Sequence, residues 1–129
     1  GTLLEVESEL PKSLKMMISG GEALPTATCR AWLSRWRHCE LINNYALTEA
    51  AADMCFCKID DHVANMDFLY VPISDGIVAW NNVCEIVDEE LVLVGWNVAD
   101  GYLPPTVSKA FEVSPCGRKN RYRTGDRAK

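Results

Sequence analysis

Between Asn43 and Ala50 the chain reads Asn43-Asn44-Tyr45-Ala46-Leu47-Thr48-Glu49-Ala50, which sets a phenol, a hydroxyl and a carboxylate close together. A tyrosine ring offers a stacking face, a threonine hydroxyl can bond an anion, and a glutamate can hold a hard cation. Upstream, Gly20-Gly21-Glu22 supplies glycines that let a backbone approach a planar or phosphorylated ligand. Together these are the parts that a nucleotide site requires. Taken singly, each has a plainer reading: Gly-Gly as a turn, Tyr45 as a rim aromatic, Glu49 as the start of a solvated helix over Ala50 to Ala52.

The elements that must position these residues follow from hydrophobic pattern. Leu14 to Ser19 is a mostly apolar run between a proline and the Gly-Gly pair, and it predicts a buried strand. From Thr26 to Arg37 the residues Ala27, Ala31, Trp32, Leu33 and Trp36 recur at helical spacing and predict a short amphipathic helix. Cys39 to Ile42 predicts a second strand that ends at the polar loop beginning with Asn43. Strand, helix, strand implies a right-handed parallel unit, with Gly20-Gly21-Glu22 and the Tyr45 to Glu49 loop facing one crevice beyond the strand ends.

Further on, Met54 to Ile59 predicts another strand, and Asp60-Asp61-His62 opens a polar connection to Val71-Pro72-Ile73. Ile77 to Trp80, Val83 to Val87 and Leu91 to Val94 are short apolar runs that suit an antiparallel β subdomain. Thr106 to Phe111 reads as a short helix, Ser114 to Asn120 as a loop, and Tyr122 to Thr124 as a returning strand. The fold class is α/β, divided into an α/β part over 1–75 that carries the nucleotide loops and a β-rich part over 76–129.

With 129 residues, 48% of them hydrophobic and 24% charged, the chain has room for a sizeable core. A formal charge of -5 with scattered Lys and Arg supports neither nucleic acid nor an anionic membrane as partner. No apolar run approaches the roughly 20 residues of a membrane helix, and the acidic start is no signal peptide, so a cytoplasmic protein is expected. Leu3 to Leu10 looks like the tail of a helix stopped by Pro11, so the chain is expected to begin inside a larger domain. Six cysteines lie in apolar runs without the spacing of a disulfide scaffold or a Cys-x-x-Cys metal pair, and they read as buried reduced thiols. His62 reads as a solvated loop residue, and Trp32 with Trp36 as packing.

Four blocks carry a resemblance. Leu14-Lys15 with Gly20-Gly21-Glu22-Ala23-Leu24, then Asn43-x-Tyr45-x-x-Thr48-Glu49, then Glu90-Leu91 through Gly101-Tyr102-Leu103, then Tyr122-Arg123-Thr124-Gly125-Asp126, stand in the order of the adenylate-forming superfamily. The chain resembles the middle-to-late part of that family's N-terminal domain, as found in acyl-CoA synthetases and peptide-synthetase adenylation domains. The resemblance implies a sheet sandwich followed by a distorted barrel, and activation of a carboxylic acid by ATP and Mg2+ as an acyl-adenylate. The acceptor would be the thiol of CoA or of a carrier protein.

By that resemblance Glu49 would bind the magnesium ion, Thr48 would bond phosphate oxygens, Tyr45 would pack on adenine, and Asp126 would grip the ribose hydroxyls. Gly20, Gly21, Glu22 and Ala23 would form the opposite wall, with Asn43, Asn44, Ala46 and Leu47 completing the loop. Ile18, Gly20, Asn44, Ala52 and Asp53 would fall near the acyl pocket. Two departures stand out: Ala46-Leu47 replaces the family's small, turn-forming pair, so Ala46 is expected to be strained, and the hairpin at Asp88 to Glu90 is short. The family's phosphate-gripping loop and catalytic lysine lie outside this sequence. Three readings follow: part of an AMP-forming acid-thiol ligase, a truncated or degenerate non-catalytic relative, or an independent nucleotide-binding module.

Overall fold

The computed structural model describes residues 9–104, 108–113 and 120–128. It divides into two compact units, Gly1–Tyr45 with Phe56–Ile77, and Ala46–Cys55 with Val78–Lys129. The expected helix tail from Leu3 falls, but for its last two residues, outside the described residues.

In the first unit, strand β1 (Met16–Gly20) pairs in parallel with β2 (Glu40–Leu47), from Met16 opposite Glu40 to Gly20 opposite Asn44. Parallel neighbours need a crossover. Helix α1 (Thr26–Arg35) provides it, so the expected strand-helix-strand order holds. The Thr26 hydroxyl donates to the Phe68 carbonyl at 2.9 Å, and the helix ends at Trp36, whose N–H still reaches the Trp32 carbonyl. Its buried stripe runs through Cys29, Trp32 and Trp36, while Ala27 is exposed.

The two indoles meet edge to face with centroids 4.8 Å apart, and Trp32 Nε1 donates to the Cys39 carbonyl at 3.0 Å, fastening the helix to the start of β2. Indoles so buried cost roughly 3–5 kcal/mol when truncated to alanine. Around them the core gathers Leu41 of β2, Cys57 and Ile59 of β3 (Ala52–Ile59), and Val63 and Ala64 of the short helix α2 (Asp61–Ala64). Asp60 caps α2, its carboxylate accepting the Val63 amide at 2.8 Å. The polar connection expected at Asp60 to His62 is therefore helical from Asp61, and His62 is exposed on it.

Two expectations for this sheet change. β1 alternates, with Met16 and Ile18 exposed, because it is the first strand in the order β1-β2-β3-β4, where β4 is Ile77–Val78. The polar loop expected from Asn43 is strand as far as Leu47, and only Thr48–Ala50 forms a 3-10 turn.

The second unit holds the sheet β5 (Asn82–Val87), β6 (Glu90–Gly95), β7 (Phe111–Val113) and β8 (Asn120–Arg127), in the order β5-β6-β8-β7 with antiparallel neighbours. The Leu-Val-Leu-Val run of its strand β6 is buried at every position from Leu91 to Val94. Asp88 and Glu89 join β5 to β6 at φ values of 52° and 61°, the left-handed pair that a two-residue hairpin demands.

This is an open four-stranded sheet, so the distorted barrel is not closed among the described residues. Nor is the expected helix at Thr106 to Phe111 present in their described part: Lys109 and Ala110 form a turn and Phe111 starts β7. Residues 105–107 and most of the Ser114 to Asn120 loop lie outside the described residues.

Where β5 meets the end of β6, Gly95 faces Asn82, and a methyl on Gly95 would run into the Asn82 carboxamide and sit 2.9 Å from its Cα. That carboxamide is committed: its oxygen accepts the Asn97 amide at 3.2 Å and its nitrogen donates to the Trp80 carbonyl at 2.7 Å. Gly95→Ala is expected to destabilise the protein by about 1–3 kcal/mol. Chemical denaturation of the full-length protein checks this, and an unchanged midpoint would show that the hairpin can yield.

Candidate functional site

In the first unit, Gly20 ends β1, and Gly21, Glu22 and Ala23 form an exposed bend after it. The parallel register sets Ser19 beside Asn43 and Gly20 beside Asn44, so two of the predicted segments are brought together at neighbouring positions. Asn43 is buried, with its side-chain amide donating to the Pro72 carbonyl at 3.0 Å; it straps the strand to the loop that follows α2. Asn44 and Tyr45 are half-buried at the end of this unit's part of β2. The strain expected at Ala46 is absent, because it continues the strand; left-handed backbone falls instead at Ala51 and Ala52, with φ of 49° and 73°.

In the second unit the turn Thr48–Ala50 leaves Thr48 exposed and Glu49 half-buried. The Glu49 carbonyl accepts the Ala99 amide at 2.9 Å, which fixes the turn against the stretch after β6. Its carboxylate Oε1 accepts the Tyr102 hydroxyl at 2.8 Å, and that hydroxyl lies 3.4 Å from the Tyr122 hydroxyl. Phe111 packs edge-on to Tyr102 with centroids 5.1 Å apart, and against Tyr122 at 4.8 Å. Strands β7 and β8 therefore hold the rings that aim a phenol at Glu49.

The electrostatic result is a carboxylate below its usual range. The Tyr102 hydrogen bond is the main cause, with a backbone hydrogen bond next, and partial desolvation opposes them. The Tyr102 phenol is raised in turn, first by the Tyr122 hydroxyl and then by Glu49. At neutral pH Glu49 is an anion and Tyr102 its neutral donor.

Asp126 stands on β8, exposed, where the pairing with β6 slips: Val92 faces Arg123 but Glu90 faces Arg127. One residue on β6, Leu91, thus faces three on β8, and Thr124-Gly125-Asp126 bulges out opposite it. Ile18, exposed on β1, belongs to the first unit, and Ala52 and Asp53, exposed at the start of β3, to the second. Five described cysteines are free, and burial pushes the thiols of Cys29 and Cys57 up to about 11; Cys116 lies outside the described residues. Among the described residues no three His, Cys, Asp or Glu side chains are grouped to hold a metal, and no helix is long and apolar enough to cross a membrane.

Sequence reasoning singled out Glu49 and Asp126 but not the groups that meet Glu49. Tyr102 and Tyr122 stand inside the motif blocks that carry the resemblance, yet they are 53 and 73 residues from Glu49, and nothing in local spacing links them. The usable signal was their type: a tyrosine in each block, available to a carboxylate.

Comparison with known proteins bears on the same segments. A family model for AMP-binding enzymes matches residues 2–103. Enterobactin synthase component F of Escherichia coli (strain K12) is 33% identical over 91% of this chain, which spans 10% of that protein. Syringomycin synthase SyrB1 of Pseudomonas syringae pv. syringae is 34% identical over 90% of this chain and 21% of its own length. PA1221, an NRPS protein containing adenylation and PCP domains, superposes with a TM-score of 0.81 and 26% identity, covering 98% of this chain and 28% of PA1221. The chain therefore spans about a tenth to a fifth of these curated relatives.

Replacing Tyr102 by Phe is expected to raise the Glu49 titration midpoint toward the ordinary glutamate value. The stability that Glu49 gains from its partners is present above the unfolded value, about 4.3, and is lost as pH falls through the lower folded value. The gap between wild type and Tyr102→Phe should therefore exist at neutral pH and close in acid. NMR titration of the Glu49 carboxyl carbon measures the shift, and an unmoved midpoint would dismiss the phenol as its cause.

Proposed function

Since the chain belongs to the AMP-binding enzyme family, we propose that it is part of an ATP-dependent, AMP-forming ligase that activates a carboxylic acid as an acyl-adenylate for transfer to a thiol. The observation that carries this reading is Glu49, an ionised carboxylate oriented by the Tyr102 hydroxyl at the position where the resemblance puts the cation-binding glutamate. The presence of adenylation and PCP domains together in PA1221 supports a carrier-protein thiol over CoA as the acceptor.

In such a reaction a substrate carboxylate attacks the α-phosphate of ATP and pyrophosphate leaves. Two anions must meet, so charge compensation dominates the barrier. Magnesium usually takes one or two protein carboxylates and completes its shell with phosphates and water. A single ionised Glu49 fits that donor set, and bound there the ion would offset phosphate charge. Tyr102 contributes by taking one carboxylate oxygen, which fixes the rotamer of Glu49 without cancelling its charge.

The remaining roles follow position by position. Exposed Thr48, next to Glu49, would bond a phosphate oxygen, and Tyr45 would lie against the adenine ring. Asp126 would accept both ribose hydroxyls in charge-assisted bonds. By the resemblance, Gly20, Gly21, Glu22 and Ala23 would also contact the nucleotide, with Asn44 near the acyl group. Asn43 would complete the loop, with one amide N–H donated to the Pro72 carbonyl.

Acid-dependent exchange of pyrophosphate into ATP by the full-length protein, assayed across amino and aryl acids, tests the reading. Glu49→Ala is expected to lower the exchange rate about a hundredfold or more, on the scale of losing a group that offsets charge in the transition state. Exchange that persists undiminished in that variant would remove Glu49 from the chemistry.

A further inference from the structure

Asp126 can serve a ribose only if the bulge that carries it keeps one shape, and the structure shows what holds it. Gly125 sits at φ 77°, a backbone that side-chain-bearing residues rarely adopt, and its amide points at Glu90: Gly125 N donates to Glu90 Oε1 at 2.9 Å. The other oxygen, Oε2, takes Arg123 from the near side of the bulge, with Nη2 at 2.7 Å and Nε at 3.0 Å. One carboxylate thus spans from the residue before the bulge to its middle.

The Thr124 hydroxyl completes the loop, donating to the Leu91 carbonyl at 2.7 Å and accepting the Asp126 amide at 3.0 Å. Beyond it, Ala128 N donates to the Glu89 carbonyl at 2.8 Å, so pairing resumes at once. Glu90 itself is held below the usual carboxylate range, by the Gly125 amide first and Arg123 after, so it is ionised at neutral pH.

We infer that Glu90 is a positioning residue for ribose recognition: by bracing Gly125 and Arg123 with its two oxygens it fixes the bulge that presents Asp126. This rests on the assignment of Asp126 to the ribose hydroxyls. Glu90 acts through backbone geometry and touches no ligand, so its loss should blunt discrimination at the sugar and leave recognition of base and phosphate in place.

Calorimetric binding of ATP and of 2′,3′-dideoxy-ATP to the full-length protein reads this directly. Asp126→Ala is expected to erase the preference for ATP, a change of about tenfold or more for charge-assisted hydrogen bonds. Glu90→Ala should erase most of the same preference while binding dideoxy-ATP as the wild type does, and the double variant should lose nothing further. Glu90→Gln, which keeps a neutral oxygen for the Gly125 amide, should lose part of it, and it supplies the cycle if the alanine variant does not fold. A preference left intact in folded Glu90 variants, or losses that add in the double variant, would overturn the inference. A preference unchanged by Asp126→Ala would instead overturn the ribose assignment on which it stands.

Discussion

The buried central strand β6 sets the terms for the second unit. From Leu91 to Val94 its side chains are shielded on both faces, so its peptide groups must find partners in β5 and β8 rather than in water. The bulge on β8 interrupts the ladder opposite Leu91, and an unpaired carbonyl there would carry the full cost of a buried polar group. The Thr124 hydroxyl takes that carbonyl, so the sheet tolerates the interruption, and the interruption is what leaves room for an exposed aspartate. The exposed position of Asp126 depends here on a substitute for one missing backbone hydrogen bond.

Two glutamates of this unit meet partners of different charge. Glu90 is met by a guanidinium, which offsets its charge at close range. Glu49 is met by a neutral phenol, which stabilises the anion without cancelling its charge. Both carboxylates are depressed, so acidity alone does not tell them apart. The sign carried by the partner does.

Much of this was legible in the sequence where one force acts alone. The indole spacing of α1 and the apolar run of β6 reported core contacts, and the paired β1 and β2 followed from a helix between two short apolar runs. Asn43 to Leu47 was misread because asparagine disfavours strands in isolation, whereas here the Asn43 amide finds the Pro72 carbonyl and the penalty disappears. Ala46 was expected to be strained because a glycine was assumed to be needed for a turn, and no turn occurs at that point. The Tyr102 hydrogen bond was invisible since pairing across 53 residues leaves no periodic trace. Glu90 stood in a quoted block without a role, because its partners are set by a register slip that no local pattern records.

The second unit is also discontinuous: Ala46–Cys55 precedes the rest of it by a stretch that belongs to the first unit. During synthesis, at roughly 5–20 residues per second, the segment bearing Glu49 must wait seconds for Tyr102 to emerge. Over that interval the glutamate is an ordinary solvated carboxylate on an unpartnered chain. The fixed orientation of that carboxylate is therefore acquired late, when a tyrosine encoded more than fifty codons downstream arrives to take its oxygen.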